Sequence, residues 1–140
     1  MAEIAFVALG TNLGDRDANL ALGRRAMQAL PGTRIVAESD VEETAPLGPA
    51  GQDAYLNQMV ALETTLTPTD LLHHLQDIER AAGRQRTVHW GPRTLDLDIV
   101  RFGDRTVAEP TLTIPHPELS NRDFWQRELT QLRDRLPAPV

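Results

Sequence analysis

The order of strand-like and helix-like patterns restricts the fold of this chain more than any other sequence feature. Stretches typical of strands and stretches with helical spacing of apolar residues alternate as strand, helix, strand, strand, helix, strand, with one more helix at the end. This is the order of a ferredoxin-like β-α-β-β-α-β arrangement, in which two right-handed βαβ halves interleave. We therefore predict an α+β fold with a four-stranded antiparallel sheet, two helices on one face, a C-terminal helix, and the other face free for a site. The seven segments are residues 3–9, 16–30, 33–43, 55–64, 68–82, 94–102 and 121–136.

The helix predicted for residues 68–82 carries the most complete set of local signals. Thr67 suits the N-cap, Pro68 the first helical position, and Gly83 the end of the helix. Apolar residues recur every three or four positions between Leu71 and Ala82, which defines one buried face.

The strand predicted at 55–64 has side chains that alternate between its two faces. This alternation predicts that Tyr55 and Asn57 share a face.

Two aspartates occupy alternate positions in the last predicted strand, at Asp96 and Asp98. In a strand their side chains point to the same face, with Cα atoms roughly 6.6 Å apart. Two like charges that close repel each other unless a cation lies between them, and hard divalent cations prefer carboxylate oxygens. The spacing indicates a metal site, although a strand with a simply solvated polar face has the same pattern.

The distribution of charge favours a small anionic ligand over nucleic acid. The net charge of -6 argues against a non-specific nucleic-acid binder, which needs a basic surface. The chain has no lysine, and six of its 14 arginines lie between residues 80 and 105, beside the aspartate pair. This combination suits a polyanion carried with its divalent metal, and ATP with Mg²⁺ is the clearest candidate. The absence of cysteine and lysine excludes thiolate zinc sites, thiol nucleophiles and lysine-based catalysis.

Length and hydropathy predict the organisation of the chain. Its 140 residues fit a single domain, residues 1–140. No apolar run approaches the length of a membrane span, and the N-terminus lacks a basic region followed by an apolar one. We expect a cytoplasmic monomer that binds neither membrane nor nucleic acid.

The string WGPRTLDLD at residues 90–98, with Arg84 upstream, closely resembles the 6-hydroxymethyl-7,8-dihydropterin pyrophosphokinase family of the folate pathway. Shorter matches follow in family order over residues 4–124, and only the long string is specific by itself. They are GTNL at 10–13, TAPLGP at 44–49, YLN at 55–57, Glu79, PHP at 115–117 and NRDF at 121–124. The resemblance implies an enzyme that transfers pyrophosphate from ATP to the pterin hydroxymethyl group, giving AMP and the pterin diphosphate, with two Mg²⁺ ions.

The same resemblance assigns the candidate site residues to three groups. The catalytic residues would be Arg84, Arg93, Asp96 and Asp98, of which the two aspartates hold the Mg²⁺ ions. The pterin would stack between two aromatic rings, and its residues would be Thr44, Pro46, Leu47, Tyr55, Asn57 and Phe124. The ATP-binding residues would be Glu79, Arg84, Trp90, Arg93, Ile99, His116 and Arg122.

Other interpretations of single residues remain open from the sequence. Tyr55 and Phe124 could be core aromatics, since most single aromatics are. His116 could be a turn residue between two prolines, Arg122 a surface charge at a helix end, and Glu79 a partner that orients an arginine.

Departures from the family pattern and the shared topology leave two alternative functions. Ala45 replaces a common proline, residues 87–89 replace more basic ones, and the segment after residue 124 differs from the usual Pro-Leu-x-Glu-Ile-Ala-Pro-like sequence. A divergent paralogue that binds a pterin or nucleotide, with another acceptor or weak transfer, is therefore the alternative. RNA-recognition domains share the topology, but they need paired aromatics on the central strands, and Phe6 is the only aromatic in the first strand.

Overall fold

The computed structural model describes residues 1–45, 54–83 and 94–137. The elements are β1 (Glu3–Thr11), α1 (Arg16–Gln28), β2 (Thr33–Glu38), β3 (Glu42–Thr44), β4 (Tyr55–Thr64), α2 (Pro68–Ala81), β5 (Asp96–Phe102), β6 (Val107–Glu109), β7 (Leu112–Ile114) and α3 (Asp123–Arg135). The main sheet has the strand order β2-β4-β1-β5, with β3 paired to β4 and every neighbouring pair antiparallel. A separate two-stranded sheet joins β6 and β7, and a 3₁₀ turn at Leu119–Asn121 precedes α3.

The element order confirms the predicted ferredoxin-like β-α-β-β-α-β fold, but the main sheet has five strands instead of four. The predicted strand at 33–43 is divided into β2 and β3, which both pair with β4. Ser39 still exchanges hydrogen bonds with Met59, whereas the Asp40 N–H leaves the sheet and donates to Gln131 Oε1 at 2.8 Å. The strand is thus interrupted because α3 supplies an acceptor that the sheet does not.

One face of the main sheet, here called the helix face, packs against α1 and α2. The Thr67 side chain accepts a hydrogen bond from the Asp70 N–H, so the predicted cap of α2 is present. Each fully buried Val, Leu, Ile or Met side chain on this face contributes about 1.5–3 kcal/mol of transfer free energy to folding. The main members of this core are Val7, Leu9, Leu20, Met27, Val60, Leu62, Leu71, Leu75, Ile78, Leu97 and Ile99.

The opposite face, here called the cleft face, is covered in part by α3, so the expectation of a free face was wrong. Trp125, Leu129 and Leu132 of α3 pack in a second core with Phe6 and Met59 of the sheet. Their helical spacing predicted an amphipathic helix, but spacing alone does not say which face of a sheet such a helix covers. The site is consequently confined to the end of the cleft face where α3 begins.

No helix in the described ranges combines the length and the apolar character needed to cross a lipid bilayer.

Candidate functional site

A cleft of about 280 Å³ lies where the start of α3 meets the end of the main sheet. At this end β1 finishes and β4 and β5 begin, so residues of three strands reach the same place. Gly10 of β1 lies opposite Asn57 on β4 and opposite Asp96 on β5, and Ala8 lies opposite Asp98. Residues opposite each other on neighbouring strands project to the same face. The predicted shared face of Asp96 and Asp98 is therefore confirmed, and both line the cleft.

Gly10 forms the floor of the cleft. A Cβ atom at this position would lie 3.3 Å from Asn57 Oδ1 and 3.6 Å from Tyr55 Cδ1. The absence of a side chain thus leaves the space between these two groups open. Sequence reasoning placed Gly10 in a loop after the first strand, whereas β1 continues to Thr11. A glycine inside a strand is the available signal, since it marks places where a ligand or another backbone approaches closely.

Four of the six predicted pterin residues line this one cleft. Thr44 and Tyr55 lie on one side, Asn57 near the floor, and Phe124 at the start of α3. The Asn57 Nδ2 donates a hydrogen bond to Thr44 Oγ1, which leaves the amide oxygen beside Gly10. The other two predicted residues, Pro46 and Leu47, lie outside the described residues.

Trp125 joins several of the predicted residues through its ring. Its indole is 2% exposed, and the guanidinium carbon of Arg122 lies 4.4 Å from the ring centroid, a cation–π distance. His116 meets the same indole edge to face with centroids 4.9 Å apart, and Phe124 does so at 6.3 Å. From the sequence, Trp125 falls at helical spacing in the helix predicted at 121–136, and no role at the site was assigned to it. It is also a wall of the cleft and fixes the residues around it.

His116 faces the second aspartate of the pair. Its Nε2 lies 3.8 Å from Asp98 Oδ1, and its Nδ1 accepts a hydrogen bond of 3.0 Å from the Glu118 N–H. Burial lowers the pKa of His116, as does the charge of Arg122, against the opposing effects of Glu118 and Asp96. The neutral ring therefore carries its proton on Nε2, the nitrogen directed at Asp98.

Three described residues predicted on the ATP side do not line the cleft. His116 lines a second cavity with Arg101 and Leu119. The other two are Glu79 and Ile99. Glu79 is 6% exposed, and its Oε2 accepts a 2.8 Å hydrogen bond from the Leu97 N–H on the helix face. It thereby braces β5 between the two aspartates. Ile99 is 3% exposed in the core under α1 and α2, because it alternates with Asp98 along the strand. Its side chain therefore cannot line the cleft.

Three further predictions, Arg84, Trp90 and Arg93, fall outside the described residues. Arg122 lines the cleft beside Asn121, Asp123 and Ala45, which belong to the matched strings but to none of the three groups of predicted site residues. Among the described residues no group of three or more His, Cys, Asp or Glu side chains gathers at one point. Within the described residues, a metal at the aspartate pair would have no third ligand of these types, so its substrate or water could supply further ligands.

Comparison with known proteins gives consistent results. The family model described as 7,8-dihydro-6-hydroxymethylpterin-pyrophosphokinase (HPPK) matches residues 6–134. The chain is 42% identical over 139 residues to 2-amino-4-hydroxy-6-hydroxymethyldihydropteridine pyrophosphokinase of Pseudomonas aeruginosa, covering 99% of this chain and 86% of the relative. It is 39% identical to the protein of the same name from Haemophilus influenzae, covering 96% of this chain and 84% of the relative.

A solved structure supports the fold. In the crystal structure of a Plasmodium falciparum HPPK-DHPS triple mutant with pteroate, the similar part has a TM-score of 0.73. It covers 100% of this chain and 39% of that chain, at 14% sequence identity. At this identity the similarity concerns the fold alone.

Proposed function

Since the chain belongs to the 7,8-dihydro-6-hydroxymethylpterin-pyrophosphokinase family, we propose that the cleft beside Asp96 and Asp98 is where it transfers pyrophosphate. The reaction is that of the family in folate biosynthesis: pyrophosphate passes from ATP to 6-hydroxymethyl-7,8-dihydropterin. The observation that best supports this location is that residues predicted for different ligands come together. Residues predicted separately for the pterin, the metal and the nucleotide, from strands β3, β4 and β5 and the start of α3, line one cleft.

The pterin is proposed to lie over Gly10 with its ring between Tyr55 and Phe124. Flat aromatic rings suit this arrangement because stacking gains apolar contact on both faces of a ligand. The Asn57 amide oxygen is available at the floor, since its amide nitrogen is held by Thr44. Asn57 is therefore set to accept a hydrogen bond from an amine or amide edge. Pro46 and Leu47 are proposed to complete this side from the segment that follows Ala45.

Two Mg²⁺ ions are proposed to be held by Asp96 and Asp98 together with ATP. The donor set fits, because Mg²⁺ is usually bound through one or two carboxylates, with phosphate oxygens and water as the other ligands. When bound, the ions would cancel the negative charge of the triphosphate and of the two aspartates. His116 would stay neutral next to Asp98, so the proton on its Nε2 can orient that carboxylate without adding charge.

The transfer forms a bond between the pterin hydroxymethyl oxygen and the β-phosphorus of ATP. The bond from that phosphorus to the oxygen of the α-phosphate breaks, AMP leaves, and the hydroxyl proton passes to solvent. Such reactions depend mainly on positioning and on the cancellation of charge. Arg122 is proposed to act on the phosphates, with its guanidinium held against Trp125, and Arg84, Arg93 and Trp90 are proposed to act from outside the described residues. Glu79, beneath β5, and the backbone of Ile99, within β5, are proposed to support the ATP side.

The test of this function is a direct assay of both products. Purified protein incubated with ATP, Mg²⁺ and 6-hydroxymethyl-7,8-dihydropterin should release AMP and the pterin diphosphate in equal amounts. Omission of Mg²⁺ should stop the reaction. Release of AMP that does not depend on the pterin would contradict the proposed acceptor.

A bulky residue at the floor of the cleft should block the pterin. Gly10→Val places methyl groups where even a Cβ would touch Asn57 and Tyr55, so the KM for the pterin should rise at least about tenfold, by lost shape complementarity. The KM for ATP should change much less. Steady-state kinetics with each substrate varied in turn gives both values.

The matched control for this substitution is Gly23→Ala in α1. Its Cβ would lie 3.1 Å from Leu9 on the helix face, so it crowds the core without reaching the cleft. Both variants should lose some stability, and only Gly10→Val should change the pterin KM. An unchanged pterin KM in Gly10→Val would show that the floor is not where the pterin binds.

We further propose that the chain works as one domain over residues 1–140 and as a cytoplasmic monomer without a nucleic-acid or membrane partner. The net charge of -6 supports the absence of a nucleic-acid partner. Sedimentation at micromolar concentration tests the oligomeric state.

A further inference from the structure

Two glutamates meet in the interior between β3 and α3, away from the proposed chemistry. Glu128 of α3 is 0% exposed, and its carboxyl group interacts with that of Glu42 of β3. Three oxygens of the pair, Glu42 Oε2 and both carboxyl oxygens of Glu128, are buried and accept no hydrogen bond from the described residues. The fourth, Glu42 Oε1, accepts from Arg127 at 2.9 Å.

Two ionised carboxylates cannot satisfy each other, because neither has a donor. A buried carboxylate without donors loses its hydration with nothing in exchange, and a like charge beside it adds repulsion. One proton between the two groups removes the repulsion and supplies the missing donor. The proton belongs on Glu128, since the charge of Arg127 lies against Glu42. Burial, and then the neighbouring Glu42, raise the pKa of Glu128 to about 10.

Several other charged side chains on the elements around α3 form ion pairs, and Arg101 of β5, whose Nε is buried, lines a cavity with Leu129 and Arg133. The pairs are Arg34 with Glu63, Arg24 with Glu38, and Arg135 with Asp40. The charged groups that act on Glu128 are thus Glu42 and Arg127.

The place of the pair in the fold connects it to the cleft. Glu128 lies one helical turn after Phe124, and Glu42 lies two residues before Thr44, so both walls of the pterin side continue into this contact. The second half of α3 is fastened elsewhere, through Gln131 and Arg135 to residues 38–40. Arg127 and Glu128 therefore supply the polar contacts between α3 and β3 nearest the cleft.

We propose that Glu42 and Glu128 share one proton at neutral pH, and that this hydrogen bond positions the first turn of α3 against β3 so that the cleft keeps its pterin-binding width. Glu128 is then a positioning residue, which acts through Phe124. The positioning role rests on the proposed function, whereas the shared proton does not.

The shared proton is tested by measuring thermal stability as a function of pH. Because folding raises the pKa of Glu128 from 4.5, the folded state binds a proton that the unfolded state releases, so this group lowers stability progressively as pH rises from 4.5 towards 10. Glu128→Gln keeps a donor and removes the titration. The Tm of Glu128→Gln minus the Tm of the wild type, both measured at the same pH, should therefore increase by at least about 5 °C from about pH 5.5 to about pH 8.5.

The control for pH is Glu109→Gln, an exposed glutamate on β6. Its Tm should follow the wild type at every pH. If the Glu128→Gln curve also runs parallel to the wild type, the shared proton is refuted. This measurement needs no substrate, so it stands even if the pyrophosphokinase assay fails.

The positioning role is tested by the pterin KM at saturating ATP. Glu128→Leu keeps the volume but removes the donor, so the pterin KM should rise about tenfold, the equivalent of one lost buried hydrogen bond. Glu128→Gln should stay within about twofold of the wild type, since its amide can donate to Glu42 Oε2. A normal pterin KM in Glu128→Leu, or an equal increase in both variants, would overturn the role. If Glu128→Leu does not fold, a raised pterin KM in Glu128→Gln alone would overturn it, and a normal one would support it.

Discussion

Replacement of Asp96 or Asp98 by asparagine is expected to reduce kcat/KM at least about a hundredfold, because each variant loses a charged oxygen ligand of the proposed Mg²⁺ site. The two carboxylates line the cleft from one face of β5, and asparagine keeps nearly the same shape. The loss is therefore one of charge and not of packing. Either variant should also need more Mg²⁺ for half-maximal rate.

The measurement is steady-state turnover at several Mg²⁺ concentrations, together with thermal unfolding. The matched control is Asp104→Asn, in the exposed turn that follows the same strand. It removes the same charge from the protein and should leave turnover and Mg²⁺ dependence unchanged. Near-normal rates in both Asp96→Asn and Asp98→Asn would end the metal assignment.

Trp125→Ala is expected to have the largest effect on stability and to reduce activity as well. Removal of a buried tryptophan costs about 3–5 kcal/mol, since the surrounding core closes only in part. Here the indole also holds Arg122, His116 and Phe124 in place. Loss of that support should lower kcat/KM by about a hundredfold even in the folded fraction, the size of effect that small misplacements of substrate produce.

Leu132→Ala separates the two effects of the tryptophan. Leu132 is 0% exposed in the same core and on the same helix, about two turns from the cleft. Its truncation should cost about 2–5 kcal/mol with little change in kcat/KM at a temperature where the protein is folded. Chemical denaturation and kinetics on both variants make the comparison. If Trp125→Ala and Leu132→Ala both lose activity in proportion to their loss of stability, Trp125 is a core residue only.

The sequence was most informative where local pattern and burial coincide. Alternation from residue 55 onward predicted β4 to the residue, and it put Tyr55 and Asn57 on the face that the structure shows. The same rule placed Asp96 and Asp98 together. The capped, amphipathic α2 ends within one residue of its predicted bounds, because its cap and apolar face are local signals.

Other features depend on contacts that a sequence pattern does not contain. The break after Glu38 exists because the Asp40 N–H bonds to Gln131, which is 91 residues away. The role of Trp125 depends on which face of the sheet α3 covers. Ile99 was included through family resemblance, whereas its alternation with Asp98 already pointed its side chain to the helix face. Glu128 gave no signal, since a glutamate in a helix usually faces solvent.

The row formed by Asp96, Gly10 and Asn57 across three strands fixes the backbone distance between the first aspartate and the asparagine. Neighbouring strands are about 4.8 Å apart, so the backbone that carries the first carboxylate and the backbone that carries the amide are separated by about 10 Å. Backbone hydrogen bonds set this length, and side-chain rotation or loop movement cannot change it. A shift of β5 by one residue would turn both aspartates into the core instead of adjusting the distance. Substitutions can therefore alter how tightly each substrate is held, but the distance between the two proposed binding places is set by the spacing of the strands.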